Sequence, residues 1–140
     1  MEHRLLKAIG AYGRMAPILK DKTVPVGERI KAWSRGPGSS AVYCAGGWEL
    51  CETHLLRLRR WEFHFVRCFL GMKRNPDIEG IEQFNRRTSA FITKLFAKYG
   101  VEPLYARVIK MTYNWCFKWW HFRHDHGESP LFDLFNVRPP

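Results

Sequence analysis

The stretch from Trp48 to Arg74 reads WELCETHLLRLRRWEFHFVRCFLGMKR and predicts one long helix over about residues 51–70. Six mostly apolar side chains recur at helical spacing and therefore share one predicted face: Leu58, Trp61, Phe65, Cys68, Phe69 and Met72. Another face carries basic side chains at steps of three, four and three residues: Arg57, Arg60, His64 and Arg67. Gly71 is the predicted C-terminal cap, because glycine readily adopts the left-handed backbone that follows many helices. Such a helix can dock into a core and present cations to a phosphate backbone.

Further helices are predicted on both sides of this segment. Upstream, an amphipathic helix spans Glu2 to Lys20, and a second helix begins at Val26 after a turn. Downstream, a helix with Asp77 as its N-cap ends at Gly100. A last helix runs from Leu104 to about Trp120, because Pro103 suits a first helical turn.

The predicted fold is all-α. No segment alternates apolar and polar residues over more than a few positions, which argues against strands. Residues 35–40, RGPGSS, predict an interruption of the helical path, because proline and glycine are strong helix breakers. We expect a small irregular bundle of about four or five helices over residues 1–123, followed by a loose tail over residues 124–140.

The charge balance favours an anionic partner. The 140 residues carry 23 lysines and arginines against 13 acids, a formal net charge of +10. Nucleic acid is the first expectation for such an excess, and an acidic membrane surface is the second. No apolar run reaches the length of a membrane span, so no spanning helix is expected, and no membrane is among the predicted partners. The absence of a secretory signal and of any C-x-x-C pair favours reduced cysteines and an intracellular location, nuclear or cytoplasmic.

Positive charge is concentrated between Arg57 and Tyr99, where ten lysines and arginines accompany four acids. This surface is expected to contact the backbone of RNA, DNA or a hybrid duplex, with a steep salt dependence and little sequence information. The first-rank candidates for nucleic-acid binding are Arg57, Arg60, Arg67, Arg86, Arg87 and Lys94. The second-rank candidates are Arg107 and Lys110.

The aromatic residues of the last predicted helix suggest a different function. Residues 115–122 carry five aromatic side chains that point in more directions than one neighbouring helix can bury. The chain could therefore be a helical protein-interaction module that docks on a partner through Trp115, Trp119 and Trp120. A third interpretation is a degenerate reading frame without selected activity.

No catalytic residue, metal or cofactor is predicted. The serines lack a nucleophile motif, and no glycine-rich loop precedes a Lys-Ser or Lys-Thr pair. His121, His124 and His126 lie near Cys116, but their spacing lacks the repeated pairs that are typical of a structural zinc site. A solvated helix end with histidines is the simpler interpretation of this cluster.

Several segments resemble the region after the palm in reverse transcriptases of LINE-type (non-LTR) retrotransposons. These segments are residues 8–15, AIGAYGRM, and residues 29–33, RIKAW. Tyr43 and Trp48 match the spacing of the family's Y-G-x-E-x-W signature. Residues 55–71 resemble its L-x-x-L-x-x-x-E-x-x-x-L-R-x-I-x-G helix, and the pattern positions are occupied by Leu55, Leu58, Glu62, Arg67 and Gly71. The family's later W-x-G-H element is similar to Trp119, Trp120 and His121.

This resemblance spans about residues 8–123 and implies a thumb-like region that, in a whole enzyme, grips the template–primer duplex by its backbone. The sequence departs from the family at Cys44 and Gly46, which replace a glycine and a glutamate. It also contains no F/Y-x-D-D motif, whose carboxylates hold the catalytic metals in the family's palm. The resemblance therefore implies a non-catalytic part or remnant of a retroelement protein.

Overall fold

The computed structural model describes residues 2–48 and 51–126, with side chains described as far as residue 121. Its elements in chain order are α1 (Glu2–Lys20), α2 (Val26–Trp33), a π-helical turn (Ser34–Gly38), α3 (Ser39–Ala41), a 3-10 turn (Ala45–Gly47), α4 (Glu52–Leu70), α5 (Ile81–Tyr99) and α6 (Leu104–His126). The described residues contain no strand, and five of the helices have eight residues or more. The all-α prediction is thereby confirmed. Residues 127–140, most of the predicted tail, lie outside the described residues.

Glycine ends both central helices. Gly71 has a φ of 70° and ends α4, while Gly100 has a φ of 64° and ends α5. The amide of Met72 donates to the carbonyl of Arg67 at 3.0 Å, which closes the last turn of α4. Both predicted helix ends are confirmed.

The predicted N-cap of α5 is wrong. Asp77 lies in the preceding turn, where its own amide donates to the Asn75 side chain at 3.1 Å. The N-cap position belongs to Gly80, and the helix begins at Ile81. Because the Asn75 carboxamide closes a tight local turn, the chain needs three further residues before the helix starts.

The RGPGSS segment remains helical, so the predicted interruption is wrong. Residues 34–38 form a wide π-helical turn that accommodates Pro37. Within this turn the carbonyl of Ser34 accepts hydrogen bonds from the Ser39 hydroxyl at 3.0 Å and from the Arg107 guanidinium at 3.1 Å. Gly36 faces the sulfur of Met15, which occupies the space that a side chain would fill. Contacts from distant residues therefore hold a segment that local propensity would break.

The core consists of two apolar clusters, and both α1 and α4 contribute to each. The first cluster joins α1, the segment around α3, α4 and α6 through Leu5, Ala8, Ala41, Val42, Ala45, Leu58, Leu104 and Val108. The second joins α1, α2, α4 and α5 through Leu19, Ile30, Trp33, Phe63, Val66, Phe69, Ile92 and Phe96. Trp61 packs against both clusters. Helix α4 is therefore the central element of the fold.

The buried face of α4 differs from the predicted one. Its buried residues are Leu58, Glu62, Phe63, Val66 and Phe69. Cys68 is exposed, so its predicted place on the apolar face is wrong. Because α5 packs beside Phe63 while α6 packs beside Leu58, the buried surface is turned toward Phe63.

Candidate nucleic-acid interface

The basic row predicted on α4 divides between two neighbours. Arg57 forms an ion pair with Glu2 of α1, with 2.8 Å between Nη1 and Oε1, and both side chains are exposed. Arg60 and Arg67 instead line a groove between α4 and α5. The His64 ring contacts Phe65 edge-on and does not line this groove. Arg57 is thus separated from the two arginines with which it was grouped.

The α4–α5 groove has a volume of about 420 Å³. It is lined by Leu56, Arg59, Arg60, Phe63, Arg67, Asn85 and Ser89. The Arg59 guanidinium lies 5.3 Å from the centre of the Phe63 ring and 5.7 Å from that of the Tyr105 ring. These cation–π contacts position Arg59 while leaving it exposed. Three guanidinium groups therefore converge on a groove whose lining residues include no carboxylate.

Arg67 connects the two walls of the α4–α5 groove. Its Nη1 donates to the Asn85 side-chain oxygen at 3.2 Å and to the Thr88 hydroxyl at 3.3 Å. Burial lowers the pKa of Arg67 from its ordinary value, yet an arginine keeps its charge at neutral pH. Arg67 thus contributes a cation to the groove and fixes the distance between α4 and α5.

The candidates on α5 fall into two groups. Arg87 is held by Glu79 through two hydrogen bonds of 2.8 and 2.9 Å. These bonds raise the pKa of Arg87 and lower the pKa of Glu79. Arg86 and Lys94 are exposed and form no ion pair with any residue in the described ranges. Two of the three predicted α5 cations thus remain available to an anion.

The second-rank candidates already have partners. Arg107 donates to the Ser34 carbonyl at 3.1 Å and to the Ser39 hydroxyl at 3.2 Å. Lys110 lies 3.8 Å from the carboxylate of Glu102, and this pair is exposed. Arg107 therefore stabilises the π-helical turn, and Lys110 is partly neutralised.

A second basic groove, which we term the α1 groove, was not predicted from the sequence. It lies between α1 and the π-helical turn and has a volume of about 640 Å³. It is lined by Arg4, Lys7, Gly10, Arg14, Arg35, Gly36, Ser39, Ser40 and Tyr43. The helical spacing of the three α1 cations was visible in the sequence. Their proximity to Arg35 could not be seen in the sequence, because it depends on tertiary packing.

Glu62 is a buried acid on the same helix as the groove arginines. It is 1% exposed, and burial raises its pKa to about 7. The amide of Leu104 donates to its Oε2 at 3.0 Å, which favours the charged form and partly opposes that rise. Glu62 thus caps the start of α6, and it does not line the α4–α5 groove. Within the described residues, no three or more His, Cys, Asp or Glu side chains are grouped to hold a metal ion.

Helix α6 exposes several aromatic side chains. Tyr113, Trp115, Phe117 and Trp120 are exposed, and Trp119 is half-buried. The Trp115 and Trp119 rings contact each other at 5.7 Å between centroids. The predicted excess of aromatic surface on this helix is therefore present. Among the described helices, none has the length and apolar character of a membrane span.

Comparisons with known proteins identify no relative. No family model, no curated protein and no solved structure matches the chain. The resemblance to LINE-type reverse transcriptases stays a prediction from its residues. The case for function consequently depends on the two grooves and their charges.

Proposed function

We propose that this chain binds the sugar–phosphate backbone of a nucleic-acid duplex through the α4–α5 groove, without catalysing a reaction. The observation that carries the proposal is the convergence of Arg59, Arg60 and Arg67 on a groove lined by no carboxylate. Guanidinium groups pair with phosphate oxygens through two parallel hydrogen bonds, so three of them suit a run of phosphates. Arg86 and Lys94 extend the available charge on α5.

The proposed binding mode is insensitive to sequence. The remaining lining residues of the groove are Leu56, Phe63, Asn85 and Ser89. Asn85 already accepts a hydrogen bond from Arg67, which leaves few polar groups to read base edges. Backbone contacts fix position without reading sequence. This mode agrees with the thumb-like role that the resemblance implies, and we propose that the chain is such a part of a retroelement protein.

A matched pair of variants tests the proposal. The double variant R59Q/R60Q removes two groove cations, whereas R57Q/K110Q removes two cations that are paired with acids. Binding to a fluorescently labelled RNA–DNA hybrid duplex is measured by anisotropy at fixed salt. We expect R59Q/R60Q to weaken binding on the order of tenfold, because two phosphate contacts are lost. The control variant should change affinity by less than about twofold, because its cations are partly neutralised in the free protein.

Equal losses in the two double variants would contradict the assignment to this groove, since both remove the same charge. A strong preference among duplex sequences would also contradict backbone recognition. Circular dichroism of each variant establishes that the helical fold is retained.

The exposed aromatics of α6 favour a second candidate function, docking on a protein partner. Tyr113, Phe117 and Trp120 present apolar area to solvent. A wild-type protein that bound the duplex weakly, with no dependence on salt, would favour this function over backbone binding. The net positive charge of the protein would then contribute to its solubility.

A further inference from the structure

We propose that the α1 groove binds single-stranded nucleic acid, with phosphates along its cations and a base stacked on Tyr43. This site uses residues distinct from those of the α4–α5 groove. It therefore goes beyond the duplex binding proposed above, and either proposal can fail without the other.

The cations of the α1 groove are available to an anion. Lys7, Arg14 and Arg35 are exposed, and Arg4 is half-buried. None of the four forms an ion pair with any side chain in ranges 2–48 and 51–121. Among the described residues, no acidic side chain lines the groove. A strand of phosphates would therefore meet four positive charges without breaking an ion pair between described residues.

Tyr43 supplies an aromatic platform at the groove. Its side chain is 60% exposed, and the Arg4 guanidinium lies 4.7 Å from the centre of its ring. Because the guanidinium lies over one face of the ring, a base would stack on the other face while its phosphate pairs with the cation. In a duplex each base is already stacked on its neighbours. Tyr43 therefore favours a single strand.

The wall formed by α1 leaves space for a ligand. A Cβ atom at Gly10 would have one neighbour within 4 Å, the Arg14 guanidinium at 4.0 Å. On the other wall, the Ser39 hydroxyl is fixed by Ser34 and Arg107, which holds this side of the groove in place. The volume of about 640 Å³ lies in the range of small-molecule sites, which leaves room for one or a few nucleotides inside the groove.

The decisive test changes the shape of the groove and leaves the net charge unaltered. G10L places a bulky side chain in the groove. G13L makes the same substitution three residues later on α1, where Gly13 does not line the groove and a Cβ would meet nothing within 4 Å. The probe is a labelled oligothymidylate of about eight nucleotides, within the length that single-strand sites commonly cover. We expect G10L to weaken binding by about tenfold or more, and G13L to change it by less than about twofold.

A second variant tests base stacking. Y43A should weaken binding of the oligothymidylate by about tenfold, and should leave an abasic oligomer of equal length nearly unaffected. Equal behaviour of G10L and G13L, or equal loss of both oligomers in Y43A, overturns the proposal. R59Q/R60Q should retain single-strand binding, and G10L should retain duplex binding. A failure of R59Q/R60Q to affect the duplex thus concerns the α4–α5 groove alone.

Discussion

The α1 groove and the α4–α5 groove are both lined by cations without a carboxylate, but they are held in different ways. In the α4–α5 groove the cations are part of the packing: Arg67 bridges to Asn85 and Thr88, and Arg59 lies over two aromatic rings. In the α1 groove the cations project from one helix and one turn, and Arg107 supports that turn from behind. The two grooves have no lining residue in common.

The comparison also shows that the number of basic residues in a segment does not give the number of cations that are free of an acidic partner. Arg57 and Arg87 belong to the most basic part of the sequence, yet each is paired with an acid. Lys7 and Arg14 lie outside that part and have no such partner among the described residues. A cation that is already paired must lose its partner before it can bind a phosphate.

The largest expected effect comes from Arg107, which supports only the α1 groove. R107M removes two hydrogen bonds from a charged donor, to Ser34 and Ser39, and should lower the free energy of unfolding by about 3–5 kcal/mol. Urea denaturation measures this loss, and oligothymidylate binding should fall while duplex binding persists. K110M, on the same helix, should cost less than about 1 kcal/mol. Equal losses of unfolding free energy in R107M and K110M would contradict the view that Arg107 supports the α1 groove.

Glu62 should make stability depend on pH in an unusual direction. Its pKa is raised from 4.5 to about 7, so the folded state holds a proton that the unfolded state has released between these values. This contribution is fully present below about pH 4.5 and is lost as pH rises through about 7. The free energy of unfolding should therefore fall by up to about 3 kcal/mol over this window.

E62Q is the matched variant for this prediction, because it keeps the shape of the side chain and cannot titrate. The difference in unfolding free energy between E62Q and the wild type should change across pH 4.5 to 7 with this sign. A pH-independent difference would mean that Glu62 has the same pKa in the folded and unfolded states and is therefore charged at neutral pH. The acid on α4 would then be a source of negative potential near the α4–α5 groove.

A smaller effect is expected from R67K, which retains the charge and loses the guanidinium geometry. Because a lysine cannot reproduce both hydrogen bonds to Asn85 and Thr88, stability should fall by about 1 kcal/mol in urea denaturation. Oligothymidylate binding should be unaffected, since Arg67 does not line the α1 groove. A loss of oligothymidylate affinity in R67K would show that the two grooves are coupled.

The smallest effect should come from releasing a paired cation. E2Q removes the partner of Arg57 and should change stability by less than about 1 kcal/mol, because exposed pairs contribute little. Duplex binding should strengthen by about twofold if Arg57 becomes available, as measured by anisotropy. The control E102Q releases Lys110 on a different helix. Weaker duplex binding in E2Q would contradict the view that pairing withholds Arg57.

The sequence predicted the helices well, because their ends carry local signals such as Gly71 and Gly100. It failed at the π-helical turn, where Arg107, distant in the chain, supports a segment that contains Pro37. It also predicted the wrong orientation for α4, because its aromatic residues surround more than half of the helix. Leu58, Glu62, Val66 and Phe69 share a face by spacing alone, but a glutamate in that set does not suggest burial.

The candidate site was predicted only in part, because tertiary packing decides which cations lie together and which are paired with acids. Arg60 and Arg67 lie at helical spacing and do line one groove, whereas the partners of Arg57 and Arg87 come from other elements. Arg59 is not among the predicted candidates. Tertiary packing brings it to the groove through its contacts with Phe63 and Tyr105.

The most direct test of the central claim is the salt dependence of duplex binding, measured for wild type, R59Q/R60Q and R57Q/K110Q. The logarithm of the association constant falls linearly with the logarithm of the salt concentration, with a slope near −0.9 for each phosphate neutralised. If the α4–α5 groove is the binding surface, the magnitude of the slope should be smaller by about two units in R59Q/R60Q. It should be nearly unchanged in R57Q/K110Q. Identical slopes in the three proteins would contradict this assignment.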